Sequence, residues 1–501
     1  MRTVFFGLGL LVGWSRASVL NKRAVLADCL AEAGTATDQL DSTDWERDTR
    51  PFNSLLPYKP DVVAVPTTAD QIQSAVVCGA NSGYKVTAKC GGHSYGSYGL
   101  GGEDGHLVIQ LDRMFAVKLD NKTNIATAEP GTRLGHLAVE LWAQGKRAIA
   151  HGTCPGVGLA GHALHGGFGL SGHTHGLALD WIVGLNIVLA NGSLVHASAT
   201  ENSDLFWGML GAGSNFGVVT SFELNTFAPP ANLTWFVANL PLKKETSVAA
   251  LAALEDYTLN TMPAELNMRI MGTQRMTQLE GVYYGEKTGL QSALAPLLAK
   301  TGGSILATGT TDWIGSLEHF ATMSLNQTHP HNEQETFYGK SLELKGLSGA
   351  AAQDFVNYWY DQARNVSGAW FFQLDVQGGN NSAVWNTDHA LSSYTHRDKL
   401  YILQFFYRST TKTVPSEAVK LVDEWTAATT KSIPASDFGM YVNYPDLSLN
   451  RTAAQQMYWG KNMPRLQQLK TQVDPKELFY YPISIKPGAA VSGQSEQVVD
   501  R

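Results

Sequence analysis

The sequence predicts an α+β protein built in two parts, and three observations carry that expectation. The chain has 501 residues, too many for one ordinary core. Two glycine-rich stretches, Lys89 to Gly99 (KCGGHSYGSYG) and His151 to Gly169 (HGTCPGVGLAGHALHGGFG), are each expected to follow a strand. Past Pro229-Pro230 the pattern becomes strands alternating with longer helices, which reads as an antiparallel sheet with helices on one face.

Taken in order, the chain opens on MRTVFFGLGLLVGWSRAS, one arginine before a short apolar run and a small-residue cleavage site. This is the pattern of a secretory signal peptide, too short to span a bilayer. Lys22-Arg23 offers a dibasic processing site, so residues 1–23 are read as signal peptide and propeptide, and the product as secreted. No later apolar run is long enough for a membrane helix, so no membrane partner is expected. Hydrophobic residues make up 44% and charged residues 16%, which allows large cores and excludes a disordered chain. A net charge of -7 speaks against nucleic acid as a partner.

Secretion gives the four cysteines meaning. Cys29 and Cys78 lie in two helical patterns and are expected to pair, closing a long loop for roughly 4 kcal/mol on the chain-entropy model. Cys90 and Cys154 remain, as a second disulfide or as two separate thiols. Asn-X-Ser/Thr sequons begin at Asn121, Asn191, Asn232, Asn326, Asn365, Asn380 and Asn450, as on a glycosylated surface.

Asp61 to Pro66 reads as a strand, Thr68 to Asn81 as a helix capped by Thr67-Thr68, and Tyr84 to Ala88 as a strand delivering the first glycine loop. Leu107 to Leu111 and Ile125 to Ala128 continue the β character. Leu134 to Gln144 is helical, and Arg147 to Ala150 leads into the second loop. Leu179 to Leu189 and Ser193 to Ser198 form a hairpin across Asn191-Gly192. Gly211 to Gly217 (GAGSNFG) looks like a dinucleotide fingerprint but joins a helix to a strand, the reverse of the Rossmann order. In the second part, Leu233 to Leu240 and Leu400 to Phe406 read as strands, and Ser247 to Leu259, Ala351 to Asp361 and Ser416 to Ala428 as helices. From Thr452 one helix is expected, before Leu478-Phe479.

Glycine density in the two loops permits close backbone approach to a flat or charged ligand. The central expectation is one flavin held from two sides, with His93 and Cys154 as covalent anchors. Four histidines crowd the second loop: His162, His165, His173 and His175. No carboxylate or second cysteine stands near them in a recognised ligand spacing, so no metal is expected.

GGHSYGSYG, HGTCPGVGLAGH, SDLFWGMLGAGSNFG and the closing YWGKN…LKTQVDPKELF resemble the berberine bridge enzyme-like flavoproteins of the vanillyl-alcohol oxidase superfamily. The processing site, SYGSYGLGGEDGHL and MYVNYPD narrow the resemblance to fungal gluco-, chito- and xylo-oligosaccharide oxidases. The resemblance implies a two-domain FAD-binding fold of the vanillyl-alcohol oxidase/PCMH type. Residues 24–228 and 450–501 would form the FAD-binding domain, and 229–449 an α/β substrate domain.

It also implies FAD joined to His93 through the 8α-methyl group and to Cys154 through C6. Gly91, Gly92, Ser94 and Gly152 accompany these anchors, with Val157, Gly158, Gly161 and His162 in the second loop. Gly217, Val218 and Asn462 complete the expected cofactor contacts. Tyr444 matches the family's base, and Asp375 its carboxylate partner. Tyr95, Arg269, Gln373 and Gln404 match sugar-contacting positions. Val157 stands where valine goes with oxidases and a larger residue with dehydrogenases.

The activity expected is oxidation of the reducing-end C1 hydroxyl of an oligosaccharide to the lactone, with oxygen reduced to hydrogen peroxide, by a secreted monomer. A dehydrogenase using a quinone-type acceptor and an FAD oxidase of secondary metabolism are the alternatives.

Overall fold

The computed structural model describes residues 22–327 and 332–488. The expected signal peptide lies outside the described residues, apart from its dibasic end. Among the described residues, the strands form three sheets.

The first sheet contains β1 (Ala36–Asp38), β2 (Val62–Val65), β3 (Val86–Lys89) and β4 (Leu107–Gln110), in the order β1-β2-β4-β3. β2, β4 and β3 run parallel. β2 and β4 are buried at every residue, which is why they read as unbroken apolar runs. Helix Ala69–Asn81 crosses between β2 and β3, its first turn capped by the Thr68 side chain accepting from Gln71 N. Cys78 on this helix is bonded to Cys29 on helix 22–32, with Cα atoms 5.8 Å apart. Cys90 and Cys154 are unpaired thiols, so a second disulfide is absent.

The second sheet is antiparallel: β5 (Val117–Asp120), β6 (Ile125–Ala128), β7 (Ile182–Val188), β8 (Leu194–Ser198) and β9 (Val218–Asn225), in the order β5-β6-β9-β7-β8. β7 and β8 form the hairpin expected across Asn191-Gly192. Before the second glycine loop there is no strand. Ala148 makes only an isolated bridge with Phe227, one pair of hydrogen bonds with no ladder behind it.

The third sheet is antiparallel and comprises β10 (Leu233–Asn239), β11 (Leu266–Thr273), β12 (Thr277–Tyr283), β13 (Ser304–Thr311), β14 (Thr336–Leu344), β15 (Ala369–Val376), β16 (Tyr401–Ser409) and β17 (Phe438–Gly439). The order is β13-β10-β12-β11-β15-β16-β14-β17. Strand alternation gives this sheet two unlike faces. On β15 and β16, Trp370, Phe372 and Phe405 pack against Trp425 of helix Ser416–Thr430, and Phe355 of helix Gly349–Asp361 packs on Phe372. Phe371, Gln373 and Asp375, with Gln404, Phe406 and Arg408, project from the other face into a cavity.

The closing segment returns to the first part of the chain. The single helix expected from Thr452 is two, Arg451–Trp459 and Met463–Val473. The break falls at Gly460, whose φ of 41° lies outside helical space, and Pro464 opens the second helix. This second helix packs on helix Ser203–Ala212, where a Cβ on Gly208 would collide with Leu469. Beyond it, Val86 of β3 donates its N–H to Leu478 O at 2.8 Å.

Candidate active site

β3 ends at Lys89, and the glycine loop that follows lies at the carboxyl end of a parallel strand, the usual place for a ligand crevice in such sheets. The second glycine loop is pressed against it. A Cβ on Gly91 would overlap the backbone nitrogen of Gly158, and one on Gly158 would overlap Gly91 N and Cys90 Sγ. Glycine at both positions is therefore what lets the loops meet. Arg133 staples them, donating to the carbonyl oxygens of both Gly91 and Gly156.

Where the loops meet, a cavity of about 400 Å³ opens between them and the third sheet, within the range of small-molecule and cofactor sites. Gly91, Gly92, His93, Ser94 and Tyr95 form one wall. Gly152, Cys154, Val157, Gly158, Gly161 and His162 form a second. Gly217 and Val218, at the start of β9, add to the lining, and Arg269, Gln373, Asp375 and Gln404 come from the sheet. Tyr444 enters from the loop after β17. Asn462 is the expected contact that the structure does not bring here. It donates its amide to Ser393 O at 2.9 Å, away from the lining.

His93 stacks on Phe52, with ring centroids 4.3 Å apart and 19° between planes. Burial, and after it the charges of Arg133 and Lys89, lower its pKa to about 3, so the imidazole is neutral and nucleophilic. Cys154 is exposed into the cavity, and the apolar surroundings raise its thiol pKa. The histidine cluster holds no metal geometry: among the described residues, no group of three His, Cys, Asp or Glu side chains could bind an ion. His162 instead accepts from Gly152 N at 2.9 Å, placing its proton on Nδ1 and fixing the turn before Cys154. His165 Nδ1 lies 2.9 Å from Gly161 O.

Tyr95 and Tyr444 lie face to face, centroids 4.7 Å apart. Gln404 donates to the Tyr95 hydroxyl at 2.6 Å. Burial drives the Tyr444 pKa well above 10, and Tyr95, Tyr441 and Asp375 add to the rise. Asp375 is 6% exposed. Its pKa is raised to about 6 by burial, which outweighs the opposing effects of Arg269 and the Gln373 hydrogen bond. Gln373 donates to Asp375 Oδ2 at 2.7 Å. Arg269 faces Asp375 across β11 and β15, while its Nε donates to Glu280 Oε1 at 2.6 Å on β12.

Phe52 and Arg133 carry no motif in the sequence, and Lys89 opens the first glycine stretch without signalling a role of its own. Sequence reasoning also passed over Tyr441 and Asn443, which stand inside the MYVNYPD stretch it had singled out. Tyr441 OH accepts from Gly167 N at 3.0 Å and from Asn443 Nδ2 at 3.0 Å, tying the tyrosine loop to the second glycine loop. Lys89 is buried and its pKa is lowered to about 8, chiefly by desolvation.

Comparison with known proteins follows this geometry. Residues 60–198 match the FAD binding domain family, and residues 440–486 match the berberine and berberine-like family. The chain is 45% identical to the carbohydrate oxidase of Microdochium nivale, over 97% of this chain and 100% of that one. The xylooligosaccharide oxidase from Myceliophthora thermophila C1, solved in complex with xylobiose, is 46% identical with a TM-score of 0.91, over 93% of this chain and 100% of that one. The glucooligosaccharide oxidase from Acremonium strictum, solved in a study of the functional roles of its 6-S-cysteinyl, 8α-N1-histidyl FAD, is 40% identical with a TM-score of 0.90. That match covers 93% of this chain and 100% of that one.

Proposed function

The chain belongs to the berberine bridge enzyme-like family of FAD-dependent oxidoreductases, among its carbohydrate oxidases, and from that premise we propose that it is a secreted oligosaccharide oxidase. It oxidises the reducing-end C1 hydroxyl to a lactone, which hydrolyses to the aldonic acid, and reduces oxygen to hydrogen peroxide. The observation that carries this reading is the shared cavity, whose walls bring His93 and Cys154 together with Tyr444 and Asp375.

The residues fit FAD. Two glycine loops touch at positions a Cβ would fill, and a neutral imidazole and a free thiol face one space. His93 and Cys154 would hold the cofactor covalently, through the 8α-methyl group and C6 of the ring, as in the Acremonium enzyme. When bound, FAD supplies the acceptor for the C1 hydride and the route of its electrons to oxygen.

The rest is the work of the chain. Tyr444 takes the proton of the C1 hydroxyl. Its raised pKa means that it stands as a neutral phenol, so it must release its own proton as it accepts the sugar's. Asp375, ionised above about pH 6, receives that proton, and the Gln373 hydrogen bond orients the carboxylate. Gln404 holds the Tyr95 hydroxyl and keeps its ring on Tyr444. Phe371 and Phe406 stack 5.0 Å apart on the same face of the sheet and limit water there.

Arg269 chooses the sugar class. With Nε engaged by Glu280, its remaining nitrogens form a fixed fork suited to hydroxyls or ring oxygens rather than an N-acetyl group. Cello-, malto- and xylo-oligosaccharides or lactose should therefore be preferred over chitooligosaccharides.

Residues 24–228 with 450–501 are assigned to the cofactor part and 229–449 to the substrate part. The return of Leu478 to β3 and the Lys470 Nζ bonds to Asn215 O and Phe479 O support this division. Secretion is supported by seven sequon asparagines that are all exposed, and no helix of the described residues is long and apolar enough to cross a membrane. The protein is read as a monomer.

Anaerobic flavin reduction with cellobiose, maltose, lactose, xylobiose and chitobiose tests the reading. Reduction by none of them would remove the sugar oxidase assignment, and a higher kcat/KM for chitobiose than for cellobiose would reverse the role given to Arg269.

A further inference from the structure

Tyr444 sits in neither a strand nor a helix, yet proton transfer tolerates little displacement of the acceptor. Two adjacent residues of β14 supply the missing rigidity. Ser341 Oγ donates to Tyr444 O at 3.1 Å and accepts from Tyr441 N at 3.1 Å. Lys340 Nζ lies 2.9 Å from Asp446 Oδ2, 2.9 Å from Asp423 Oδ1 and 2.9 Å from Ser448 Oγ.

One ammonium thus ties the sheet, helix Ser416–Thr430 and the tyrosine loop together. Lys340 and Asp446 are 5% and 3% exposed, so solvent screens the pair little. Asp446 is fixed from a further side. Its N–H donates to Tyr458 OH at 2.8 Å on helix Arg451–Trp459, and its Oδ1 accepts from Ser448 N at 2.9 Å. Neither Lys340 nor Asp446 lines the cavity, and the proposed chemistry uses neither.

We propose that the buried Lys340–Asp446 ion pair is a positioning device for Tyr444. It fixes the loop two residues beyond the tyrosine, while Ser341 fixes it at the tyrosine's own backbone. The proposal rests on the reading of Tyr444 as the proton acceptor. Charge, and not only shape, matters here. Asparagine at 446 keeps the size of the side chain but gives up the attraction that draws the loop to β14.

The test is anaerobic stopped-flow reduction of the flavin-loaded Asp446→Asn and Lys340→Met proteins. The limiting rate of reduction should fall roughly 10- to 100-fold. Sugar affinity, flavin content and reoxidation by oxygen should stay unchanged, and Lys340→Arg should recover most of the rate. In a Tyr444→Phe background, Asp446→Asn should add no further loss, because the group it positions is gone.

Reduction of Asp446→Asn at the unmodified rate overturns the proposal. So does a full additional loss on top of Tyr444→Phe, or a parallel loss of bound flavin, which would mark a merely structural pair. If Tyr444→Phe itself is reduced normally, the assignment of the base fails and the proposal fails with it. Should Asp446→Asn not accumulate as folded protein, Lys340→Met carries the same comparison. A slowed reduction that vanishes in the Tyr444→Phe background supports the device, and an unslowed one refutes it.

Discussion

The rings of Tyr95 and Tyr444 lie face to face, with centroids 4.7 Å apart and planes 19° from parallel. A residue of the first glycine loop thus supports one from the loop after β17. Tyr444→Phe keeps this stack and removes only the proton acceptor. Flavin reduction by sugar should slow by roughly 10²- to 10⁴-fold with sugar binding retained. Near-normal reduction of this variant in a stopped-flow experiment would exclude Tyr444 as the base.

Covalent attachment is tested by denaturation. Acid-precipitated protein should stay yellow, and peptides containing His93 or Cys154 should carry the FAD mass. His93→Ala or Cys154→Ala should leave one link and weaken turnover, and the double variant should release the cofactor. Free FAD in the supernatant of the unmodified protein would refute the two anchors.

Asp375 sets a pH limit. Its pKa is raised to about 6 by burial, so the carboxylate proposed to accept the proton is lost as pH falls through that value, and flavin reduction should fall with it. Stability runs the other way. The fold favours the neutral acid, so its contribution is full below the ordinary aspartate pKa and is lost as pH rises toward 6. Asp375→Asn should therefore be slow, free of that pH limb, and more resistant to heat at pH 7 to 8 than the unmodified protein. Lower thermal stability of this variant at pH 7 to 8 would contradict the account.

Gly158→Ala tests the contact between the two loops. The added methyl would meet Gly91 N and Cys90 Sγ, both held in place by backbone and burial. Overpacking of this kind costs about 1–3 kcal/mol, and the loops should part enough to lower flavin content. Full flavin loading and an unchanged melting temperature would show that the close approach is dispensable.

Val157 tests the choice of acceptor. It is half-buried in the cavity wall, and on the proposed reading one more methylene there would narrow the approach of oxygen. Val157→Leu should slow reoxidation by oxygen and leave sugar-driven reduction nearly untouched. If the unmodified enzyme, once reduced, persists for minutes in air while a quinone reoxidises it quickly, the protein is a dehydrogenase.

Local chemistry was legible in the sequence where it was also local in space. Thr68 announced the start of its helix, Asn191-Gly192 its hairpin, and the glycine loops their ligand surface. What the sequence hid was decided by register and by long-range contact. Arg269 meets Glu280 because the two are cross-strand partners on β11 and β12, a pairing set by the length of the intervening turn. Tyr95 meets Tyr444 only once two sheets are in place. Asn462 lies off the cavity lining, and the helix break just before it, at Gly460, is a backbone angle that a continuous helical pattern does not reveal. Lys340 belongs to no pattern, and Asp446, although it closes the MYVNYPD stretch, carries no signal of the lysine it meets, since the pairing is made by burial.

The return of the chain end to β3 has a consequence for how the protein is made. Phe479, Tyr480 and Tyr481 line the cavity, and Leu478 completes the hydrogen bonding of Val86. These residues are synthesised long after the strand they join. A nascent chain can collapse its early sheets, but its chamber lacks part of its wall until this segment has been made. A chain cut short of Leu478 should therefore hold flavin poorly, because it lacks both this wall and the hydrogen bond to Val86.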